Sequence, residues 1–327
     1  MNQSLLRRLV AIALLGSALA LVACGGGDES SEDLTWDSLS LQESADDAPF
    51  VPTILPTTIG VGPGRVLFAL IDREEGTLVS DATMTARFYR LASDPEVEPE
   101  VSEEVASLDV VKRVLDLRGA AGTGESPLND SDLTTVYSST PELDTPGYWG
   151  VVLDIEFEGK QYQPRMKFWV LEETPEVAIG DPAPASVQPT LADVDDPAII
   201  SSVADPNEAM LDQTVAEALQ TGKPVVVAFV TPTFCQTRYC GPVMEAVVQP
   251  AWEQYGDRVE FVHIEPYDLP KARAEGLLEP VPTVLEWGIR QEPFIFVIDA
   301  EGIVRVKLEG VTDLPELSEA IELVLAE

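Results

Sequence analysis

The sequence is poor in cysteine, in histidine and in positive charge. Its 327 residues include three cysteines, one histidine, and 20 lysines and arginines against 57 aspartates and glutamates, for a formal net charge of −37. A field of that sign repels nucleic acid and anionic lipid headgroups, so nucleic-acid binding is excluded. No cysteine or histidine lies between residues 52 and 181. The acidic stretch at residues 94–104 has no spacing that defines a metal site and predicts an exposed loop.

Long apolar runs are also missing. The run at residues 9–22 follows Arg7 and Arg8 and is too short to span a bilayer comfortably, which predicts a signal peptide over residues 1–23. It ends in Leu-Val-Ala-Cys-Gly, which resembles the lipobox of bacterial lipoproteins. That resemblance implies lipidation at Cys24 and an extracytoplasmic protein anchored to a bacterial cell membrane. An uncleaved anchor helix is the alternative. Loss of the two arginines makes the formal charge −37 − 2 = −39.

The roughly 300 residues that follow are too many for one small core and predict two domains. Residues 24–51 are rich in glycine, serine and acidic residues, and they predict a flexible acidic tether. Residues 52–175 and 176–327 differ in their patterns, and each range predicts one domain.

Residues 52–175 consist of short strand-like segments separated by turn signals. Residues 82–90 alternate apolar and polar side chains, which predicts a strand with one solvated face. Residues 147–157 and 160–171 predict a hairpin around Glu158 and Gly159. Together these patterns predict an all-β, immunoglobulin-like sandwich with Trp149 and Trp169 as core anchors.

Residues 176–327 predict an α/β domain. The expected order is a helix at 207–220, a strand at 224–230, a helix at 242–255, a strand at 258–264, an irregular helical stretch, a hairpin of 294–298 and 303–308, and a helix at 314–325. The first of these strands is apolar and leads into Cys235 and Cys240, directly before a helix. The positive end of a helix favours a thiolate, so we expect Cys240 to be the reactive thiol and Cys235 to resolve the mixed disulfide.

Three interpretations of the cysteine pair stay open. With Cys24 taken by lipid, Cys235 and Cys240 have only each other, and two thiols this close are expected to form a disulfide in an oxidising compartment. That disulfide is either redox-active or a static staple of the loop. The third interpretation is a metal site, for which His263, the only histidine, is the available further ligand. Because it ends the strand after the active helix, we expect His263 to approach the cysteines, and two thiolates with an imidazole suit Cu(I).

The C-terminal domain resembles the thioredoxin family of the membrane-tethered, TlpA- and peroxiredoxin-like type. The resemblance rests on the strand before the cysteines, on Cys240-Gly241-Pro242, and on Pro293, which precedes a strand and an Asp-x-x-Gly hairpin. It implies a cis peptide bond before Pro293 and places that proline beside the cysteines. In one alignment Val243 replaces the usual second cysteine, and Cys235 supplies a partner from upstream in a Cys-x4-Cys arrangement. A second alignment puts Cys235 in the place of the first cysteine, directly after the strand, and both alignments stay open. The buried acid of thioredoxins would fall near Ala228.

These features together predict a lipid-anchored, extracytoplasmic thiol–disulfide oxidoreductase. It would act on thiols and disulfides of envelope proteins through Cys235, Cys240 and Pro293, without a cofactor, and the β-domain would be a spacer or partner-binding module. One alternative is a copper-binding or delivery protein that resembles the Sco-type chaperones and uses Cys235, Cys240 and His263. Another is a non-catalytic scaffold lipoprotein with a structural disulfide.

Overall fold

The computed structural model describes Trp36 and residues 47–55, 58–91, 101–117 and 133–326, with only the backbone for 101–103. The predicted signal peptide, Cys24 and most of the predicted tether lie outside these ranges. Within them, every helix is too short or too polar to cross a bilayer.

The N-terminal part of the described chain is built from antiparallel strands. They are β1 (Phe50–Leu55), β2 (Gly62–Pro63), β3 (Val66–Asp72), β4 (Thr83–Leu91), β5 (Val101–Asp116), β6 (Leu133–Ser139), β7 (Glu142–Leu143), β8 (Gly147–Phe157), β9 (Lys160–Tyr162) and β10 (Arg165–Val170). The main sheet has the order β1-β3-β6-β5-β4-β8-β10, with β9 beside β8 and a separate β2-β7 pair. The long strand β5 pairs first with β4 and then, from Val111, with β6. The structure therefore has an all-β region here, and its immunoglobulin-like class stays a prediction.

Local patterns in this region correspond to the predicted strands. In β4, Met84, Ala86 and Phe88 are buried, whereas the alternate side chains before Tyr89 are partly or fully exposed. The β8–β9 hairpin turns at Glu158 and Gly159, which both have positive φ. Trp149 is fully buried as predicted.

Two expectations for this region are wrong. Trp169 is 46% exposed because it lies on the edge strand β10. Among the described aromatic rings, its ring packs only against Tyr148, in an edge-on contact. The folded region also begins before residue 52, since Ala48 and Phe50 are buried. Trp36, in the middle of the predicted tether, is buried, and its indole ring packs against Tyr89 and Gly150. A side chain at position 150 would clash with this indole.

The C-terminal part has a thioredoxin-like fold. Its strands are β11 (Val225–Phe229), β12 (Glu260–Ile264), β13 (Phe294–Ile298) and β14 (Val304–Glu309), and its helices are α1 (Val215–Ala218), α2 (Cys240–Val243), α3 (Gln249–Tyr255), α4 (Leu269–Glu275), α5 (Pro282–Glu286) and α6 (Leu314–Leu325). The sheet has the order β12-β11-β13-β14, with β11 parallel to β12 and antiparallel to β13. All five residues of β11 are buried because apolar clusters cover both faces of the sheet.

Helix bounds differ from the predicted ones at two places. The helix predicted at 207–220 is instead a 3-10 turn (Glu208–Met210), then α1, which Thr214 caps, then a second 3-10 turn (Leu219–Thr221). The helix predicted at 242–255 begins earlier, at Cys240, and continues through a π-helical segment (Met244–Val248) into α3. Pro250 has no N–H to donate to the preceding turn, which accounts for the wide turn just before it.

Ion pairs join the two regions. Arg65 of the β-region donates to both carboxylate oxygens of Glu316 on α6, at 2.7 and 2.6 Å. Arg113 on β5 lies 2.9 Å from Glu319 and 3.7 Å from Glu316. Leu67 and Leu115 share an apolar cluster with α2 and α6, and β5 contacts α2. The β-region thus supports the helix that begins at Cys240.

Candidate functional site

Cys235 and Cys240 lie in the loop between β11 and α2, at the edge of the sheet. They are joined in a disulfide with a Cα–Cα distance of 6.0 Å. Cys240 is fully buried at the start of α2, whereas Cys235 is half-buried. Cys235 is therefore the residue of the pair that another thiol can reach.

The hydrogen bonds of the loop also favour Cys235 as the reactive thiol. The Cys240 backbone N–H, at the start of α2, donates to the Cys235 Sγ across 3.3 Å. The Thr237 hydroxyl lies 3.2 Å from the same sulfur. The structure thus assigns the helix-end N–H to Cys235, whereas the sequence favoured Cys240. The difference arises because the loop folds back over the helix end, which no local pattern specifies.

Pro293 lies at the start of β13, and the Glu292–Pro293 peptide bond is cis. The resemblance to thioredoxins implied this geometry. The Thr237 hydroxyl donates to the Glu292 carbonyl across 3.4 Å, which holds this segment against the cysteine loop. The proline, the loop and the disulfide therefore form one site.

Glu292 is a buried acid at this site, only 4% exposed. One carboxylate oxygen accepts from the Gln236 backbone N–H at 2.9 Å, and the other accepts from the Tyr267 hydroxyl at 2.9 Å. The Gln236 side chain in turn donates to the Tyr267 hydroxyl at 2.7 Å. A carboxylate oxygen of Glu292 and the two cysteine sulfurs all lie within 4.8 Å of one another.

Tyr267 acts as a hydrogen-bond donor to this acid. Burial, reinforced by the negative charge of Glu292 and opposed by the hydrogen bond from Gln236, raises the pKa of Tyr267 to about 12. The phenol therefore stays protonated at neutral pH and keeps the carboxylate oriented towards the disulfide.

Sequence reasoning missed the role of Glu292. Ala228 on β11, near which the buried acid of thioredoxins would fall, is buried and apolar. The acid comes instead from the residue before the cis proline. The signal was present as the dipeptide Glu292-Pro293, but nothing in its spacing reveals that the side chain turns towards the cysteines.

His263 does not join this site. It lies opposite Ala228 in the β11–β12 register, is buried, and bonds to the Val230 carbonyl through Nε2 at 2.8 Å. Among the described residues, the one group of cysteine, histidine and acidic side chains with metal-ligand geometry is Cys235, Cys240 and Glu292. The expected set of Cys235, Cys240 and His263 is therefore not brought together. In the oxidised state the disulfide also occupies both sulfurs.

Comparisons with known proteins add little to this geometry. No family model matches the sequence, and no curated protein matches it. The chain is similar to a solved thiol:disulfide interchange protein of the thioredoxin family from Chlorobium tepidum TLS, at 19% identity over 34% of this chain and 84% of that one, with a TM-score of 0.24. It is also similar to a thioredoxin-like superfamily protein, at 18% identity over 40% of this chain and 96% of that one, with a TM-score of 0.26. The thioredoxin-like fold itself rests on the strand order β12-β11-β13-β14 with its parallel β11–β12 pair.

Proposed function

We propose that the protein is a lipid-anchored, extracytoplasmic thiol–disulfide oxidoreductase that acts on thiols and disulfides of envelope proteins. One observation carries the proposal: a disulfide with one half-buried sulfur lies beside a cis proline and a buried carboxylate. The anchoring at Cys24 is supported by the lipobox-like sequence. The β-region, which we take to be immunoglobulin-like, serves as a spacer or a partner-binding module.

The exchange begins at the accessible sulfur. A substrate thiolate attacks Cys235 Sγ, the Cys235–Cys240 bond breaks, and its electron pair leaves on Cys240. A second substrate thiolate then attacks the substrate sulfur of the mixed disulfide and releases Cys235 as a thiolate. The substrate dithiol loses two electrons and becomes a disulfide, and the cysteine pair gains them. The same steps in reverse reduce a substrate disulfide.

Glu292 is placed to carry the proton of Cys240. Because Cys240 is fully buried, its leaving thiolate needs a proton. The Glu292 carboxylate takes this proton from the substrate thiol as that thiol becomes the attacking thiolate, and passes it to Cys240. In the reverse direction the carboxylate accepts the proton of the Cys240 thiol and returns it to the substrate thiolate. The carboxylate lies within 4.8 Å of the sulfur, a distance that one bridging water or a side-chain rotation spans. Glu292 thus takes over the role for which Ala228 offers no group.

The redox potential of the cysteine pair tests the proposal. We expect Cys235 and Cys240 to be half-reduced within the range of redox-active pairs, roughly −120 to −270 mV. The measurement is thiol alkylation and mass spectrometry after equilibration in graded glutathione or dithiothreitol buffers. A pair that stays oxidised below about −300 mV is a structural staple, and that result would support the scaffold alternative.

Replacement Glu292→Gln is expected to slow disulfide exchange by about 100-fold, the lower end of the usual effect of general acid–base catalysis. The amide keeps the shape and a hydrogen-bond acceptor but cannot carry a proton. The measurement is the exchange rate with a dithiol peptide across a range of pH. Glu275→Gln, at an exposed position of α4, is the matched control and should match the wild type. Equal rates for both variants at every pH would remove Glu292 from the mechanism.

The copper alternative that requires Cys235, Cys240 and His263 gains no support from the site, because His263 contacts the Val230 carbonyl instead of the cysteines. His263 lines a different cavity.

A further inference from the structure

A cavity of about 400 Å³ opens beside the helical run that follows Cys240. Its lining includes neither cysteine nor Glu292, so it is separate from the disulfide site. The residues that matter here are Met210, Met244, His263, Trp252, Asp205 and Glu245. They combine two thioethers, an imidazole and an indole with two carboxylates.

His263 lines this cavity, and one of its ring nitrogens has no hydrogen bond among the described residues. It shares a face of β12 with Phe261, which packs in the same apolar cluster as Met210 and Met244. A backbone carbonyl only accepts, so the 2.8 Å contact with Val230 requires the proton to lie on Nε2. In the neutral ring Nδ1 then carries a lone pair, and His263 makes no other hydrogen bond among the described residues. Histidines that bind metals are usually oriented in this way, by donating the other N–H to a carbonyl or carboxylate.

Two methionines, whose thioethers are soft donors, line the same cavity. Met210 is 2% exposed and Met244 is 5% exposed, so their thioethers are shielded from bulk solvent. Met210 ends the 3-10 turn that contacts β12, and Met244 begins the π-helical segment after α2. The Asn207 side chain donates to Gln249 at 3.1 Å and ties that turn to α3. The donors therefore come from three elements that are held together.

This donor set selects a soft monovalent cation. Thioethers bind Cu(I), and imidazole also suits copper, whereas Zn²⁺ is bound mainly by thiolate, imidazole and carboxylate. Trp252 offers an indole face, which attracts a cation. Asp205 and Glu245 are exposed acidic side chains of the lining, and their negative charge attracts a cation from solution.

We propose that this cavity is a Cu(I) site in which His263 Nδ1 and the sulfurs of Met210 and Met244 are the ligands. The site uses neutral donors and does not involve the disulfide. It therefore loads copper whether the cysteine pair is oxidised or reduced, and it adds a metal-binding function to the proposed oxidoreductase.

The experiment separates this site from every thiol. In the full chain with Cys24→Ser, Cys235→Ser and Cys240→Ser, the methionines hold the only sulfur atoms. Anaerobic titration with Cu(I) against a coloured Cu(I) chelator should show one equivalent bound, and X-ray absorption should show sulfur and nitrogen ligands. Each of Met210→Leu, Met244→Leu and His263→Gln should weaken binding at least about tenfold, since even the loss of a residue that only orients a ligand costs 10- to 100-fold. Glutamine is chosen for His263 because its amide nitrogen can replace Nε2 and still donate to the Val230 carbonyl. The variant thus keeps this hydrogen bond and loses the ring nitrogen Nδ1 that binds copper.

The control is Met84→Leu, which removes a buried thioether from the β-region by the same well-tolerated exchange. It should bind Cu(I) like its parent. Loss of Cu(I) uptake in the cysteine-free chain would assign copper to the thiols and overturn the proposal. Uptake that Met210→Leu and Met244→Leu leave unchanged would overturn it as well. Neither result bears on disulfide exchange, which the potential of the cysteine pair decides.

Discussion

Replacement Cys235→Ser is expected to reduce disulfide exchange to the uncatalysed rate, whereas Cys240→Ser is expected to trap mixed disulfides at Cys235. The reason is exposure: Cys235 is half-buried and accepts the helix-end N–H, and Cys240 is fully buried. A thiolate that remains accessible without its resolving partner forms a mixed disulfide that nothing within the chain releases.

The measurement is mass spectrometry of each variant after incubation with oxidised glutathione, together with an insulin-reduction assay. The matched control is the double variant Cys235→Ser and Cys240→Ser, which should give neither adduct nor activity. Adducts that accumulate on Cys240 in the Cys235→Ser variant, and not on Cys235, would restore the assignment that the sequence favoured.

Replacement Glu316→Gln is expected to lower the free energy of unfolding by roughly 3–5 kcal/mol, because it removes the charged partner of the largely buried Arg65 side chain. Glu316 accepts two hydrogen bonds from Arg65 and one from the Thr312 hydroxyl at 2.7 Å, and its side chain is 8% exposed. The measurement is urea unfolding at neutral pH. Glu322→Gln is the control, since its ion pair with Arg258 is 3.5 Å long and both side chains are more than half exposed. That change should cost less than about 1 kcal/mol.

The pH dependence of this effect has a definite sign. Burial opposes the charged form of Glu316, but Arg65, Thr312 and Arg113 outweigh burial and lower its pKa below the usual 4.5. Its stabilising contribution is therefore complete above pH 4.5 and is lost as the pH falls through the folded-state pKa. The stability difference between wild type and Glu316→Gln should shrink as the pH is lowered. A difference that stays constant down to about pH 3 would contradict the assignment.

Local patterns were sufficient for several elements of the fold. The five buried residues of β11, the alternation in β4 and the turn at Glu158 and Gly159 follow from side-chain periodicity and turn chemistry. The pairing of Cys235 with Cys240 follows from their short separation along the chain. The helix predicted at 207–220 shows the limit of such patterns, because the apolar spacing does not reveal the cap at Thr214 that starts α1.

By itself, then, the sequence determined the strand before the cysteines, the short spacing of the cysteine pair and the acidic composition, because each depends on neighbouring residues or on composition. The position of the cis proline followed from the resemblance to thioredoxins. Only the tertiary structure decided which sulfur is exposed, which acid faces the disulfide and where His263 lies. Gln236 and Glu292 are 56 positions apart, and His263 and Val230 are 33 positions apart. Contacts over such separations depend on how the loop, the helix and the sheet pack together, and no local pattern encodes that packing.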